Sequence, residues 1–512
     1  MVANDTIFSF ERLSSYEPSS YENRYRALDD FRGTFDVPKH WGHLSPYFSS
    51  PMFPEMQERK VLPQHCNLKQ VHMLHRNGAH MPAKDSPASR FAEAIENVTM
   101  GSSVMLNATG PLAFLNHWKY ELGVGHLTAA GAQQMFDSGV QSFYRYGALF
   151  NASKVASKPV LRTTSQHRMV DSASHWALGM YGLHAPSTVN LEVIVEDDGY
   201  NNTLADSSNC PNANDEALQF GDQTSSKWIK TYLKGAVNRL SRHLPKMHLT
   251  PELVYGMQTL CAHETFTLGE SNFCHLFTMK EWEGFEYASD LLQRGNYAFG
   301  SPTARAQSLG YLVEFLARIE EKAPSNSILP LPLPPSLNKT LDDDTSTFPV
   351  DQPIHVDFTH QSNILHLLTA LNFSFLDAVK LTEDSLVQKR AFYASHIVPF
   401  AARLVFEVID CPTSGKHSQS YIRTLLNDAI LPMGSAQGCS LGPASSSSSS
   451  SHKQSAARKD GLCPLDDFLA FFKDEVIMEN WGQEAQVACH GRNGTDFVIP
   501  ASGPNNGTVS LL

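Results

Sequence analysis

Short β-patterned runs that break into polar loops, with helical patterns after them, recur along this chain and restrict its fold more than any other feature. Leu68 to Leu74 alternates apolar and polar residues and ends in a Gly-containing turn. Ala88 to Val98 follows with helical spacing, Phe91, Ala92, Ile95 and Val98 falling on one side. Val160 to Arg162 reads as a short strand. Leu191 to Glu196 reads as a strand stopped by Asp197-Asp198-Gly199. Ile354 to Phe358 is a strand, Thr359 to Asn363 its loop, and Ile364 to Leu371 the start of a helix; Leu404 to Val408 is a further strand. Strand, loop and helix in that order predict an α/β fold: a central, mostly parallel sheet flanked by helices, with its active residues at the carboxyl ends of the strands.

The remaining segments predict the domain layout. Residues 1–60, rich in Ser, Tyr and Pro, read as an arm lying over a core. Thr128 to Tyr146 is amphipathic, and Asp215 to Gln293 is helical with Trp228, Tyr232 and Trp282 as anchors. We expect 86–154 and 211–299 to form a smaller, inserted all-α cap, and 61–85, 155–210 and 300–495 a discontinuous α/β domain. Pro330 to Pro335 and the acidic run Asp342 to Asp344 read as loop. The seven serines Ser445 to Ser451 lie in a polar loop, 440–460, and 496–512 forms a tail.

With 42% hydrophobic and 18% charged residues, the chain can bury a substantial core. A formal net charge of -12 argues against nucleic acid and anionic lipid as partners, and no run reaches the roughly 18 apolar residues of a membrane span. Eight cysteines, an even count, and nine N-x-S/T sequons, at Asn4, Asn97, Asn107, Asn151, Asn201, Asn338, Asn372, Asn493 and Asn506, point to the secretory route. The polar stretch Met1 to Pro18 cannot serve as a signal peptide, so secretion implies a signal cleaved from this chain or lost from it.

Three loop segments carry the chemistry: His75-Arg76-Asn77-Gly78-Ala79-His80-Met81-Pro82, Leu161-Arg162-Thr-Thr-Ser-Gln-His-Arg168, and Asp357-Phe358-Thr359-His360-Gln361-Ser362-Asn363. In this order they resemble the motifs of the histidine acid phosphatase family, which has the phosphoglycerate-mutase-like fold: R-H-G-x-R-x-P after a strand, an Arg after the next strand, and a late His-Asp pair. The resemblance runs over roughly residues 60–495 and is phytase-like at Cys66-Asn-Leu-Lys-Gln-Val-His-Met-Leu, Leu127-Thr128-Ala-Ala-Gly131, Asp198-Gly-Tyr-Asn-Asn-Thr203, Phe273-Cys-His-Leu-Phe-Thr278 and Pro399-Phe-Ala-Ala-Arg403. It implies the disulfides Cys66–Cys411, Cys210–Cys489, Cys261–Cys274 and Cys439–Cys463. No cysteine shows zinc-site spacing, and we expect neither metal nor cofactor.

The resemblance also locates a break. Family members attack phosphorus with the His of the first motif, bind the phosphoryl oxygens with arginines and the third-motif His, and protonate the leaving oxygen with the Asp. Here Arg76, Arg162 and His360 stand in place, but the nucleophile position is Asn77, the second arginine is His80 and the acid is Gln361. A carboxamide nitrogen, its lone pair delocalised, does not attack phosphorus, and Gln361 has no ionisable proton to give. Loss of a covalent nucleophile costs on the order of 10⁵–10⁶ in rate, roughly 7–8 kcal/mol of barrier. His75 does not substitute, because on an alternating strand it points away from residues 72 and 76.

These substitutions predict a pocket turned to non-hydrolytic chemistry on a small phenolic or enolisable molecule: an isomerisation or cyclisation such as chalcone-to-flavanone closure. His80 or His360 would act as base, Arg76 and Arg162 would hold the oxyanion, and Asn77, Gln361, Asn363 and Arg168 would bind substrate. The alternatives are a pseudophosphatase that holds an anionic ligand and a weak acid phosphatase. Lys84 is the one basic residue between Pro82 and Ser89, so the basic rim that phytate requires is missing. Nothing in the sequence speaks to oligomeric state.

Overall fold

The computed structural model describes residues 36–57, 62–100, 106–150, 158–197, 199–205, 209–326, 336–412, 418–439, 460–473, 487–491 and 508–510. The serine run, Pro330 to Pro335, residues 1–35 and most of the tail lie outside the described residues.

A nine-stranded mixed sheet organises the chain. Its strands are β1 (Asn67–Arg76), β2 (Val160–Thr164), β3 (Asn190–Ile194), β4 (Ile354–Thr359), β5 (Arg403–Pro412), β6 (Ser418–Leu426), β7 (Ala429–Ile430), β8 (Cys463–Pro464) and β9 (Thr508–Ser510). Their order is β7-β6-β5-β1-β4-β2-β3-β9, with β8 paired to β6. The central β1, β4, β2 and β3 are mutually parallel, whereas β5 to β8 and the edge strand β9 add antiparallel pairings. Parallel strands end together, so Arg76, Thr359 and Thr164 open onto the same end of the sheet, where α/β folds place ligands.

Period-two alternation sends the two sides of β1 to different layers. Val71 and Met73 join Leu161, Val356 and Phe358 in a hydrophobic cluster closed by Met135, Trp176 and Met180. These last three come from helices: α1 is Pro87–Met100, α2 is Ala129–Tyr146 and supplies Met135, and α3 is His167–Tyr181 and supplies the other two. Thus α2, which lies in the segment read as part of the cap, packs against the face of the sheet. Helices α2 and α3 cross closely because each is notched by a glycine: a Cβ on Gly139 would lie 2.1 Å from Trp176 O, and one on Gly179 2.0 Å from Phe136 O. The opposite face carries the larger cluster, which runs on into α4 (Phe220–Tyr232), α5 (Pro251–Leu268), α6 (Met279–Tyr297) and α7 (Leu309–Ile319). Helix α6 starts with a capping box at Thr278 and Glu281.

All four disulfides implied by the resemblance are present: Cys66–Cys411, Cys210–Cys489, Cys261–Cys274 and Cys439–Cys463. One reading changes. The acidic run expected as loop begins at the last residue of a short helix, α8 (Lys339–Asp342), and that residue, Asp342, is buried. The sequon at Asn201 is buried, and its amide donates to Leu337 O at 3.1 Å, so in the folded chain it is closed to glycan transfer. Among the described residues no helix is long and apolar enough to cross a membrane.

Candidate active site

The first motif leaves β1 at Arg76 and threads past the start of α2. The passage is backbone on backbone: a Cβ on Gly78 would meet Gly131 O at 2.4 Å, and one on Gly131 would meet Ala79 O at 2.1 Å. Thr128 caps α2 and also donates to Ala79 O at 2.8 Å, tying helix start to loop. Gln134 accepts from Ala79 N at 2.9 Å. The loop is therefore fixed on both sides before any ligand arrives.

Arg76 is buried beside the ring of Phe400, 4.5 Å from its centroid. One arm of its fork donates to the carbonyls of His43 at 2.5 Å and Val398 at 2.6 Å, and its Nε has no partner. Among the described residues no carboxylate pairs with it. Burial, and then the charge of Arg168, push its pKa down to about 9. Arg168 stands in the first turn of α3, beside Gly125; burial lowers it too, with Glu196 working in the opposite sense. Arg168 thus depresses Arg76, and among the described residues no salt bridge ties either guanidinium to a carboxylate, which leaves both able to hold an anion.

Three imidazoles surround this charge. His80 donates from Nδ1 to Met81 O at 2.7 Å, and its ring lies 5.2 Å from that of Phe400 and 6.4 Å from that of His263. His263, from the middle of α5, donates from Nδ1 to His80 O at 3.2 Å. His43 lies against Ser289, Nδ1 to Oγ 2.8 Å. Burial, followed by the nearby arginines, drives His80 well below its ordinary value and His43 to about 3. Burial takes His263 to about 4. All three are neutral over the physiological range.

His360 caps α9 (Gln361–Ala370) and holds Glu196 at the exit of β3, 2.9 and 3.1 Å from its two oxygens. Burial opposes the Glu196 carboxylate, but His360, Thr164 and Arg168 together hold it below the usual range. Gln166 adds a 2.5 Å bond to the same carboxylate. Gln361 is the first residue of α9, half-buried. Asn77 is buried; its amide nitrogen donates to Gly78 O at 2.9 Å. His75 faces the other side of the sheet, bonded to Ser138 at 2.7 Å.

Two residues assigned to the site lie outside it. Arg162 is held in the sheet by Asp357 at 2.7 Å and Glu314 at 2.5 Å, stacked on Phe348, and fully buried. The sequence pattern ends its strand at Arg162, but β2 continues to Thr164. The guanidinium set near Arg76 is Arg168, from the helix that follows. Asn363 is also spent on structure: its amide donates to Thr203 O at 3.2 Å and its oxygen accepts from Ser362. Sequence reasoning misses His43, Glu196 and His263. His43 and His263 lie far from any motif, in the N-terminal segment and mid-helix, where no local pattern marks them. Glu196, a charged residue at a strand's end, does carry a signal.

Similarity to known proteins bears on this geometry. Residues 67–427 match the family model of the histidine phosphatase superfamily, branch 2. Phytase A of Aspergillus fumigatus is 29% identical over 461 residues, covering 86% of this chain and 90% of its own. Phytase A of Emericella nidulans is 29% identical over 499 residues, covering 94% and 98%. The thiamine-repressible acid phosphatase pho4 of Schizosaccharomyces pombe is 28% identical over 467 residues, covering 86% and 89%. The crystal structure of the phytase from D. castellii superposes with a TM-score of 0.68 at 21% identity, over 90% of this chain and 91% of that one. The model match spans well over half of the sequence, and this chain therefore belongs to branch 2 of the histidine phosphatase superfamily.

Proposed function

We propose that this protein binds a small phosphate ester or similar organic anion in the pocket between Arg76 and Arg168, and that the phosphohistidine route of hydrolysis is closed to it. The observation that carries this reading is the buried guanidinium of Arg76 beside the half-buried one of Arg168, with no carboxylate salt bridge to either among the described residues. Arg76 and Arg168 would hold the anion, and His360, oriented by Glu196, would face it from the third motif. Asn77 offers no nucleophile and Gln361 no proton. The relatives named phytase and acid phosphatase support a phosphate-type ligand, as does a related structure, that of the Bifidobacterium longum multiple inositol polyphosphate phosphatase in complex with phosphate, with a TM-score of 0.58 at 12% identity. We take helices α4 to α6 as a cap over the pocket, to which α5 contributes His263. Four disulfides favour an oxidising, secretory compartment.

Calorimetry with inorganic phosphate and phenyl phosphate tests the reading. Binding by the wild type that is lost in Arg168→Ala supports it; equal affinities for wild type and variant reject it.

One observation favours a second reading, non-hydrolytic proton transfer on a phenolic or enolisable substrate. Neutral imidazoles at His80, His43 and His263 stand beside guanidiniums suited to an oxyanion. Arg162 has no part in this version. Conversion of a phenolic enone at the same rate by wild type and by a His80→Ala, His360→Ala double variant would reject it.

A further inference from the structure

In a phosphate pocket the protein ordinarily supplies the donors. Here the hydrogen bonds around Asn77, His80 and His263 reverse that at three positions. A backbone carbonyl only accepts, so a ring nitrogen bonded to one must carry the proton. Met81 O fixes the proton of His80 on Nδ1, and His80 O fixes that of His263 on Nδ1. Each ring is left with a bare Nε2. By the same logic Gly78 O fixes the amide nitrogen of Asn77 toward itself and leaves Oδ1 as the outward group. Among the described residues no protein donor meets any of these three acceptors. Arg76 from β1 and Arg168 from α3 add positive charge, while the neutral His43 from the N-terminal segment and the Phe400 ring complete the surroundings. The Glu196–His360 pair stands near Arg168, on which the Glu196 carboxylate acts.

We propose that the pocket selects a ligand that brings its own hydrogen-bond donor next to its negative charge: a protonated phosphate monoanion, or a phosphate with a hydroxyl beside it. Asn77 Oδ1, His80 Nε2 and His263 Nε2 accept from that donor while Arg76 and Arg168 hold the anion. A fully deprotonated tetrahedral dianion leaves three acceptors unpaired and facing its own lone pairs, a penalty that discriminates against it. His80 is then a specificity-determining residue: an arginine there would supply donors, whereas the neutral imidazole requires them. This inference rests on the anion-binding reading given above and deepens it.

Phosphate and sulfate separate the two cases. Both are tetrahedral and nearly equal in size, but at about pH 5.5 phosphate is mainly a monoanion with O–H groups and sulfate a dianion with none. Calorimetry of the full-length protein at constant ionic strength is expected to show phosphate binding roughly tenfold or more tighter than sulfate. His80→Arg is expected to abolish or invert that preference. Sulfate binding as tightly as phosphate in the wild type overturns the proposal. Failure of both anions to bind overturns the anion-site reading itself, and the selectivity with it. The tautomers are read independently by two-bond ¹H–¹⁵N spectra of ¹⁵N-histidine protein, assigned with His80→Asn and His263→Asn. Protonated Nδ1 with bare Nε2 on both rings supports the acceptor wall. Protonation at Nε2 of His80 removes it, whatever the anions do.

Discussion

Arg162 donates from Nε to Asp357 Oδ1 across 2.7 Å, a contact between adjacent parallel strands. Asp357 Oδ2 is taken by Arg318 at 2.6 Å and by Tyr311 at 3.0 Å, and Glu314 closes the other side of Arg162. With burial alone Asp357 would resist ionisation, but the two guanidiniums and their hydrogen bonds hold its carboxyl far below the usual range. Asp342, set against Glu314 in the same interior, is pushed the opposite way, first by burial and then by Glu314. The cluster is a structural ion network under the pocket, and its arginines have no charge to spare for a ligand.

Arg162→Ala is therefore expected to strip Asp357 and Glu314 of a shared partner and cost about 3–5 kcal/mol of stability. Anion affinity of the molecules that remain folded should stay within about twofold. Arg168→Ala should do the reverse: little change in melting temperature and a loss of anion affinity of about tenfold or more. Thermal melts and calorimetry on both variants check the pair. Tight anion binding by Arg168→Ala and none by folded Arg162→Ala would restore the role that the sequence assigned to Arg162.

That misassignment shows how far the sequence was legible. Strands β1, β2 and β4 could be read because their apolar residues recur at strand period and stop at polar turns. The carboxyl-end loops followed from that, and the resemblance to the histidine acid phosphatases singled out Arg76, Asn77, His80, His360 and Gln361 within them. Whether a side chain at a strand's end lies in the sheet or past it depends on one or two residues of register. On that margin Arg162 stays within the sheet, whereas Arg168, expected to bind substrate, stands in the first turn of the helix that follows. β6 is amphipathic but rich in Ser, Gln and Thr, so no apolar run announced it. His43 and His263 reach the pocket through tertiary packing alone, more than two hundred residues apart in the chain.

The close passage of the first motif over α2 makes Gly131 indispensable. A methyl group there meets Ala79 O at 2.1 Å and Ala79 N at 2.7 Å, both backbone atoms that cannot rotate away. Gly131→Ala is expected to displace the loop carrying Asn77 and His80, with an overpacking cost of about 1–3 kcal/mol. Anion affinity should fall with it although residue 131 touches no ligand. A chemical denaturation series alongside calorimetry measures both effects; an Ala variant with wild-type stability and affinity would show that the crossing is looser than its geometry indicates.

Acid should unfold the protein through its buried histidines. Burial lowers His72, His75 and His366 from 6.5 to about 3, and His263 to about 4. His72 stacks on His355 at 4.7 Å, and among the described residues no ring nitrogen of His72 or His366 has a partner. Below pH 6.5 the unfolded chain takes up protons that the folded chain refuses. Stability is thus complete above 6.5 and declines as pH falls toward the folded values, by about 1.4 kcal/mol per pH unit for each such group. Urea unfolding at pH 7 and about pH 5 should show the decline, and His366→Leu should remove about 2 kcal/mol of it. A midpoint independent of pH over this interval would contradict the burial of these rings.

The sharpest test of the lost chemistry is to rebuild it. The loop is already held by Gln134, Thr128 and Gly131, and the anion site by Arg76 and Arg168, so the missing parts are groups rather than geometry. Asn77→His alone supplies a nucleophile. The carboxamide it replaces is fully buried and bonded to Gly78 O, and a ring at that position can use its Nδ1 for the same bond and present Nε2 to phosphorus. Without an acid to protonate the leaving oxygen, its gain should be confined to esters with good leaving groups such as p-nitrophenyl phosphate. Adding Gln361→Asp should extend turnover to alkyl phosphates, and His80→Arg should raise affinity for the phosphate dianion. We expect the wild type to stay at background and the triple variant to exceed it by about 10² or more, with acid-labile phosphate trapped on the imidazole introduced at position 77. A wild type that already turns over p-nitrophenyl phosphate at the rate of the triple variant would mean that phosphorus is attacked by a group other than residue 77, and the Glu196–His360 pair, beside Arg168, would be the first place to look for the base that activates water.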